Sequence, residues 1–376
     1  MSVRVRVGRS SSYSRGRREC TRSHPSSWSI VTRGAAVDKA SSSSSSSGDG
    51  GEAESGAVLR GGVSIRRRPP GGNAAREWSF GLGFTTEVGD ESEPRNILEE
   101  IVWYKDGEVT KMKAKQPLMR LMQVLPAAPP VRNFLQALRD KVDESGRVPA
   151  LIAEAKKASP SKGLIQPDFD PAAIAAAYEA GGAACVSVLT DSKYFMGSFE
   201  NLKLIRDAGV NCPLLCKEFI IEGWQVFKAR SMGADAFLLI AAVLPNEDLQ
   251  YFINLGKKVG MTALVEVHTA EEMERVLDGV EGLELVGINN RDLETFEVDL
   301  YNTQRILSTP SISAKIKEKD ILVVGESGIF TKEDVEVMWE SGCRAVLIGE
   351  SLVRAEGGGK GGGIEEGTRA LLSREK

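Results

Sequence analysis

The residues best suited to chemistry in this chain sit where short apolar runs end. Leu151-Ile-Ala-Glu-Ala-Lys156 carries Glu154 and Lys156 two residues apart and then breaks into a Ser/Pro/Gly loop that reaches Gly163. In a strand, that spacing turns both side chains to one face. The other positions are Leu, Ile and Ala, so a carboxylate and an ammonium there are costly unless paired or used. Residues 213–219, 262–267 and 285–291 repeat the pattern and put Lys217, Glu266, Asn289 and Arg291 at the ends of three further runs. One such residue reads equally well as a structural ion pair. Four runs ending alike point to one shared site.

Two more runs end in small residues, Glu326-Ser-Gly-Ile329 and Ile348-Gly-Glu-Ser351. Their backbone N–H groups can approach a phosphate just before a helix N-terminus. A tight turn needs the same glycines, but two such ends on adjacent strands match the place where barrel enzymes hold phosphate. Strand parity turns Glu218 away from Lys217. His268 opens a helix-capping stretch with Thr269 and Glu272 and is read as structural.

Positioning these groups requires strands that all end on one side. From about residue 149, apolar runs alternate with helical patterns, with strand starts near 149, 185, 214, 236, 262, 285, 321 and 345. Eight β–α units at this spacing predict a parallel sheet closed into a (β/α)₈ TIM barrel over residues 149–376. Asp170-Pro171 supplies a helix start, and Gly182, Gly233 and Gly342 fall between a helix and the next strand. A doubly wound open sheet is the competing architecture. Its first turn would be glycine-rich, whereas here it reads Lys-Ala-Ser-Pro-Ser-Lys-Gly163.

Upstream, residues 94–148 read as a helical extension, with Ile97, Ile101 and Tyr104 on one face, followed by helices at about 117–124 and 131–142. Such an extension fits either the bottom of a barrel or its mouth. Residues 1–93 divide differently. The first 37 contain eight arginines, many serines and one acid, Glu19, which is transit-peptide composition. A serine run at 41–47 and the charged, Pro/Gly-rich stretch at 66–72 follow. This leader is expected to be disordered and dispensable for catalysis, with folding beginning near Pro94.

Composition narrows the function. Net charge is −4 and apolar content 41%, and no uncharged apolar run approaches a membrane span, so neither a nucleic acid nor a membrane is an expected partner. The cysteines, Cys20, Cys185, Cys212, Cys216 and Cys343, lie singly, and the histidines are His24 and His268, so no zinc site or disulfide framework is indicated. Oligomeric state is open, a monomer being one option.

From about Asn96 to Arg354 the motifs resemble the indole-3-glycerol phosphate synthase family. They are Glu154-x-Lys156-x-x-Ser159-Pro-Ser161, Lys193-Tyr-Phe195-x-Gly-Ser198, Lys217-x-Phe219-Ile220, Leu264-Val-Glu266-Val, Ile288-Asn-x-Arg291-Asp-Leu293, Glu326-Ser-Gly328 and Ile348-Gly-Glu-Ser351, in family order. The resemblance implies a reaction without metal or cofactor on a small phosphosugar. In it, 1-(2-carboxyphenylamino)-1-deoxyribulose 5-phosphate closes its ring and loses CO₂ and water. It implies Lys217 as general acid and Lys156 as a second lysine near the substrate carboxylate. Glu154, Glu266 and Lys156 are the candidates for the later proton transfers, with Asn289 grouped beside them. Ser159, Asn289, Arg291 and Glu326 would hold substrate, Phe195 and Phe219 would flank its aromatic ring, and Ser327, Gly328, Gly349 and Ser351 would hold phosphate.

The leader, together with this family, implies a plastid enzyme of the plant type, a mitochondrion being the alternative. Two departures stand out: Lys217-Glu218-Phe219 where the family usually has Lys-Asp-Phe, and a glycine tract at 357–363 that puts the docking of the last helix in question. The pKa of Lys217 is expected to be lowered by Lys156, Arg291 and desolvation, opposed by Glu154 and Glu266. A related isomerase would use a Cys/Asp pair where Lys156 and Glu266 stand. A catalytically silent barrel would tolerate loss of Lys156, Lys217 or Glu266, all of which are present.

Overall fold

The computed structural model describes residues 63, 65, 93–292, 296–354, 361 and 363–373. Eight strands form a closed barrel: β1 (Ala150–Ala155), β4 (Cys185–Leu189), β5 (Leu214–Lys217), β6 (Ala236–Ile240), β7 (Thr262–Val267), β8 (Leu285–Asn289), β9 (Leu322–Glu326) and β10 (Ala345–Ile348). Every neighbouring pair is parallel, and β1 closes the ring by pairing Ala150 with Ala345 on β10 and Ile152 with Cys185 on β4. A small antiparallel hairpin, β2 (Ala158–Ser159) with β3 (Gly163–Leu164), folds the loop after β1 and was not foreseen. The predicted barrel and its strand starts are thus borne out.

The strands are almost wholly apolar until their last residues, because helices cover the outside of the sheet and side chains fill the inside. Those helices are α4 (Pro171–Gly181), α5 (Phe199–Asp207), α6 (Gly223–Ser231), α7 (Asn246–Val259), α8 (Ala270–Gly279), α9 (Tyr301–Leu307), α10 (Pro310–Glu318), α11 (Lys332–Ser341), α12 (Glu350–Val353) and α13 (Ile364–Leu372). Local signals set their ends. Asp170 accepts from the N–H groups of Ala172 and Ala173 to open α4, and Gly182 closes it at φ 98°. After the glycine tract, α13 docks with Ile364, Thr368 and Leu371 buried, which answers the question about the last helix. Among the described residues no helix is long and apolar enough to cross a membrane.

Three helices precede the barrel: α1 (Ile97–Lys115), α2 (Leu118–Val124) and α3 (Phe134–Ser145). The third begins about three residues later than expected. The extension serves both ends of the barrel. At the bottom, α3 buries Phe134 and Leu138 against the start of β1 and β4, and the Cys185 thiol lies 3.8 Å from the Phe134 carbonyl. Beside it, buried Asp235 pairs with Arg206 and accepts from the N–H groups of Arg132 and Leu214, at 2.8 Å each, which ties the approach to α3 to the sheet. At the other end, α1 starts on an Asn96 cap and reaches the mouth of the barrel. Cys185, Cys212, Cys216 and Cys343 are buried free thiols.

Most of the stretch 1–92, including its expected leader, lies outside the described residues. Val63 and Ile65 do not, and they correct the expectation that core formation begins near Pro94. Both are buried, at 5% and 2% exposure, and the Ile65 N–H donates to the Ala242 carbonyl just past β6. Burying an aliphatic side chain of this size is worth about 1.5–3 kcal/mol. Deleting residues 1–62 should therefore leave the melting temperature unchanged, whereas deleting 1–92 should lower it by roughly 5–10 °C. Equal melting temperatures for the two truncations would show that Val63 and Ile65 contribute nothing.

Candidate active site

A cavity of about 170 Å³ opens at the C-terminal ends of the strands. Its lining includes Glu154, Lys156, Ser159, Phe195, Lys217, Phe219, Glu266, Asn289, Arg291, Glu326, Ser327, Gly328 and Gly349. Each is a residue singled out from sequence, and the fold gathers them from seven barrel strands and the loops that follow. Ser351 is the exception. It lies within α12, with its hydroxyl 3.4 Å from the Ile329 carbonyl rather than in the cavity lining.

The charges are paired inside the cavity. Lys156 Nζ lies 2.7 Å from Glu154. Lys217 Nζ is 3.1 Å from Glu266 and also in contact with Glu326. Asn289 links these groups to the next loop, donating to Glu266 at 3.1 Å and accepting from the Arg291 N–H at 2.9 Å. Two carboxylates fit only because a neighbouring strand lacks a side chain. A Cβ on Gly287 would overlap the Glu326 carboxylate, and one on Gly349 would sit 2.8 Å from that of Glu154.

This pairing corrects the expected titration of Lys217. Burial does push its pKa down, but Glu326, Glu266 and Glu154 outweigh burial, so the pKa is raised and the ammonium is held charged. The two glutamates that share it split apart. Burial, reinforced by the charge of Glu266, raises Glu326 despite Lys217. For Glu266, Lys217 and the Asn289 amide overcome burial and lower the pKa. The centre thus combines a charged lysine, an ionised glutamate and a glutamate that retains its proton to higher pH.

Ser161, Glu218 and Glu350 also reach the lining, and most of what remains is apolar or aromatic. Phe195 and Phe219 face each other, ring centroids 6.0 Å apart and planes 38° apart. Leu189, Leu238, Ile240 and Leu347 also line the cavity, and α1 contributes Ile97, Leu98 and Ile101. Ile97 and Ile101 were legible as one helical face together with Tyr104, which is exposed and outside the lining, but nothing in the sequence says which end of the barrel they meet. Phe296 and Phe330 were missed. Phe296 turns through φ 62° and its carbonyl accepts from the Arg291 guanidinium at 3.1 Å. An aromatic residue isolated in a polar loop was the available signal.

Just after β9, Ser327 and Gly328 take positive φ values of 65° and 77° in succession. His268 is outside the cavity lining. Its Nδ1 lies 2.7 Å from the Asn289 carbonyl and its N–H donates to Glu272, so it braces the end of β8 as a structural residue.

Comparison with known proteins agrees with this geometry. Residues 98–360 match the family described as Indole-3-glycerol phosphate synthase. The chain is 49% identical over 331 residues to the Arabidopsis thaliana protein named Indole-3-glycerol phosphate synthase, chloroplastic, covering 88% of this chain and 81% of that one. It is 53% identical over 292 residues to the Microcystis aeruginosa indole-3-glycerol phosphate synthase, covering 78% and 95%. It is 52% identical over 295 residues to that of Acaryochloris marina, covering 78% and 93%. Alignments of 292 and 295 residues do not fit between Glu93 and Lys376, so they take in residues upstream of Glu93. With the family matched over most of the chain and the barrel's polar strand ends converging on one cavity, the chain belongs to the indole-3-glycerol phosphate synthases, carboxy-lyases of tryptophan biosynthesis.

Proposed function

We propose that Lys217 donates the proton that drives ring closure of 1-(2-carboxyphenylamino)-1-deoxyribulose 5-phosphate. As the aromatic carbon attacks the ribulose carbonyl, charge builds on that oxygen, and a proton donor beside it lowers the barrier. The observation that carries this reading is a largely buried, charged Lys217 held in the cavity by Glu266 and Glu326. A raised pKa does not disqualify it, because the alkoxide formed in the attack is more basic than the ammonium. Carbon dioxide then leaves, and the final dehydration needs one proton removed and another delivered to the departing hydroxyl. Glu266, Glu154 and Lys156 are the groups for those transfers.

Substrate holding divides along the chemistry of the walls. Phe195 and Phe219 take the aromatic ring, Lys156 the ring carboxylate, and Asn289, Arg291, Glu326 and Ser159 the hydroxylated chain. Ser327, Gly328, Gly349 and Ser351 take the phosphate, Ser351 from just behind the lining. A serine at positive φ costs about 1–2 kcal/mol, a strain that favours a functional turn at Ser327 over a merely connecting one. The Arg/Ser-rich first 37 residues and the likeness to a chloroplastic Arabidopsis protein support a plastid location.

Lys217→Ala should lower turnover by roughly 10²- to 10⁴-fold with a much smaller change in substrate binding. Lys217→Arg should retain stability but not turnover, because a guanidinium keeps the charge and does not release its proton. Because Lys217 also pairs with Glu266 and Glu326, a melting-temperature loss in Lys217→Ala fits either role; a purely structural lysine differs in giving near-normal turnover in the folded fraction and rescue by arginine. Turnover per folded molecule in both variants separates the two.

Inorganic phosphate should compete with substrate, and a dephosphorylated substrate analogue should bind at least tenfold more weakly, since charge-assisted hydrogen bonds are each worth about 1.5–3 kcal/mol. Equal affinity for the two forms would remove the phosphate site from the assignment. A fluorescent protein fused behind residues 1–62 should enter plastids in plant cells. Retention in the cytosol or entry into mitochondria would refute that location.

A further inference from the structure

Helix α1 carries a buried cation that the proposed chemistry does not use. The Lys105 side chain is 3% exposed, and its Nζ lies 2.6 Å from Glu108, 2.7 Å from Asp191 and 2.9 Å from Glu218. Burial alone would drive such a lysine to give up its proton. The carboxylates of Glu218, Asp191 and Glu108 more than offset that, and its pKa is raised.

Two of these carboxylates have a second task. Asp191 Oδ1 accepts from the N–H groups of Tyr194 and Phe195, at 2.7 and 3.2 Å. Glu218 Oε1 accepts from the Phe219 N–H at 2.9 Å, while its Oε2 takes the Thr190 hydroxyl at 2.8 Å. One ammonium therefore holds the two acids that fix the backbones of the two facing rings. The same helix reinforces one side, with Glu100 accepting from the Tyr194 hydroxyl at 2.9 Å and Tyr104 meeting the Tyr194 ring edge-on. Without the cation, two carboxylates of nearly zero exposure would face each other unpaired, and at least one would take up a proton or turn toward solvent. Either change releases an N–H that now orients Phe195 or Phe219.

We propose that Lys105 is a positioning residue for substrate recognition, setting the spacing between Phe195 and Phe219 from the N-terminal helix. The inference rests on the assignment of these rings to the aromatic end of the substrate. It gives α1 a role in specificity beyond closing the cavity, and it assigns Glu218 the task of transmitting the position of α1 to the strand that bears Lys217.

The test uses the full chain with Lys105→Met, which keeps length and removes charge. It is accompanied by Lys105→Met combined with Glu218→Gln, which relieves one unpaired acid should the single variant not fold. In whichever folds, KM for the carboxyphenylamino-deoxyribulose phosphate should rise about tenfold or more, with kcat per folded molecule within about threefold of the parent. A lysine that only fastens α1 to the barrel would lower the melting temperature and the active fraction and leave KM where it was. That outcome overturns the proposal. Phe195→Ala and Phe219→Ala serve as the reference. If neither raises KM, the assignment of the rings to the substrate has failed. If they raise it and the Lys105 variants do not, the failure belongs to Lys105.

Discussion

An ion removed from water must find its compensation in the protein, and at the mouth of this barrel that requirement organises everything else. A closed parallel sheet sends all eight strand ends to one side, so polar residues at those ends meet across a few ångströms of apolar surroundings. Lys217 is held between Glu266 and Glu326, and Glu154 by Lys156, with Asn289 steadying Glu266. The charge of Lys217 is affordable only because its partners come from other strands, whereas Glu154 and Lys156 pair two residues apart at the end of one. Losing Lys217 would leave two buried glutamates facing each other, a change of the kind that costs about 3–5 kcal/mol. Stability and chemistry thus draw on the same contacts.

The N-terminal extension completes that arrangement from outside the barrel. Beneath it, Phe134 and Leu138 close the bottom, and Asp235 binds the approach to α3 into the sheet. Above it, Ile97, Leu98 and Ile101 supply apolar wall while Lys105 supplies charge. The burial of Val63 and Ile65 carries the connection further upstream, to the loop after β6.

Much of this was legible in the sequence because periodicity is local. The two-residue spacing of Glu154 and Lys156, the apolar runs and the Asp170-Pro171 start each depend on neighbours in the chain, and they led to the barrel and to the polar strand ends that line its cavity, whereas Ser159, Phe195 and Phe219 came from the family resemblance. What was not legible depends on pairs far apart. Lys105 and Glu218 are 113 positions apart in number, and no pattern within a helix announces that its lysine will meet a strand end. The direction of the Lys217 shift failed for the same reason. The sequence set Lys156, Arg291 and desolvation against Glu154 and Glu266, whereas the fold also brought Glu326 into contact, a residue read as a substrate holder. Ser351 stands in the first turn of α12 behind the cavity lining, a position that strand alternation alone does not give.

The glycines of the last strands show how closely the proposed acid–base and anion-binding halves of the cavity are joined. Gly349 was chosen from sequence for its backbone, as a residue that lets a phosphate approach. Its missing side chain is also the space that the Glu154 carboxylate occupies. Gly287 does the same for Glu326, from a strand that carries no catalytic candidate until Asn289. A methyl group at either place would push a buried carboxylate off its lysine before it disturbed anything else. The chain then turns sharply at Ser327 and Gly328, immediately after Glu326 has been delivered to the cavity. The residue that ends β9 as an acid is thus followed, with nothing between, by the turn assigned to phosphate. Substrate bound at that turn would therefore bear on the Glu326–Lys217 contact through a single peptide link.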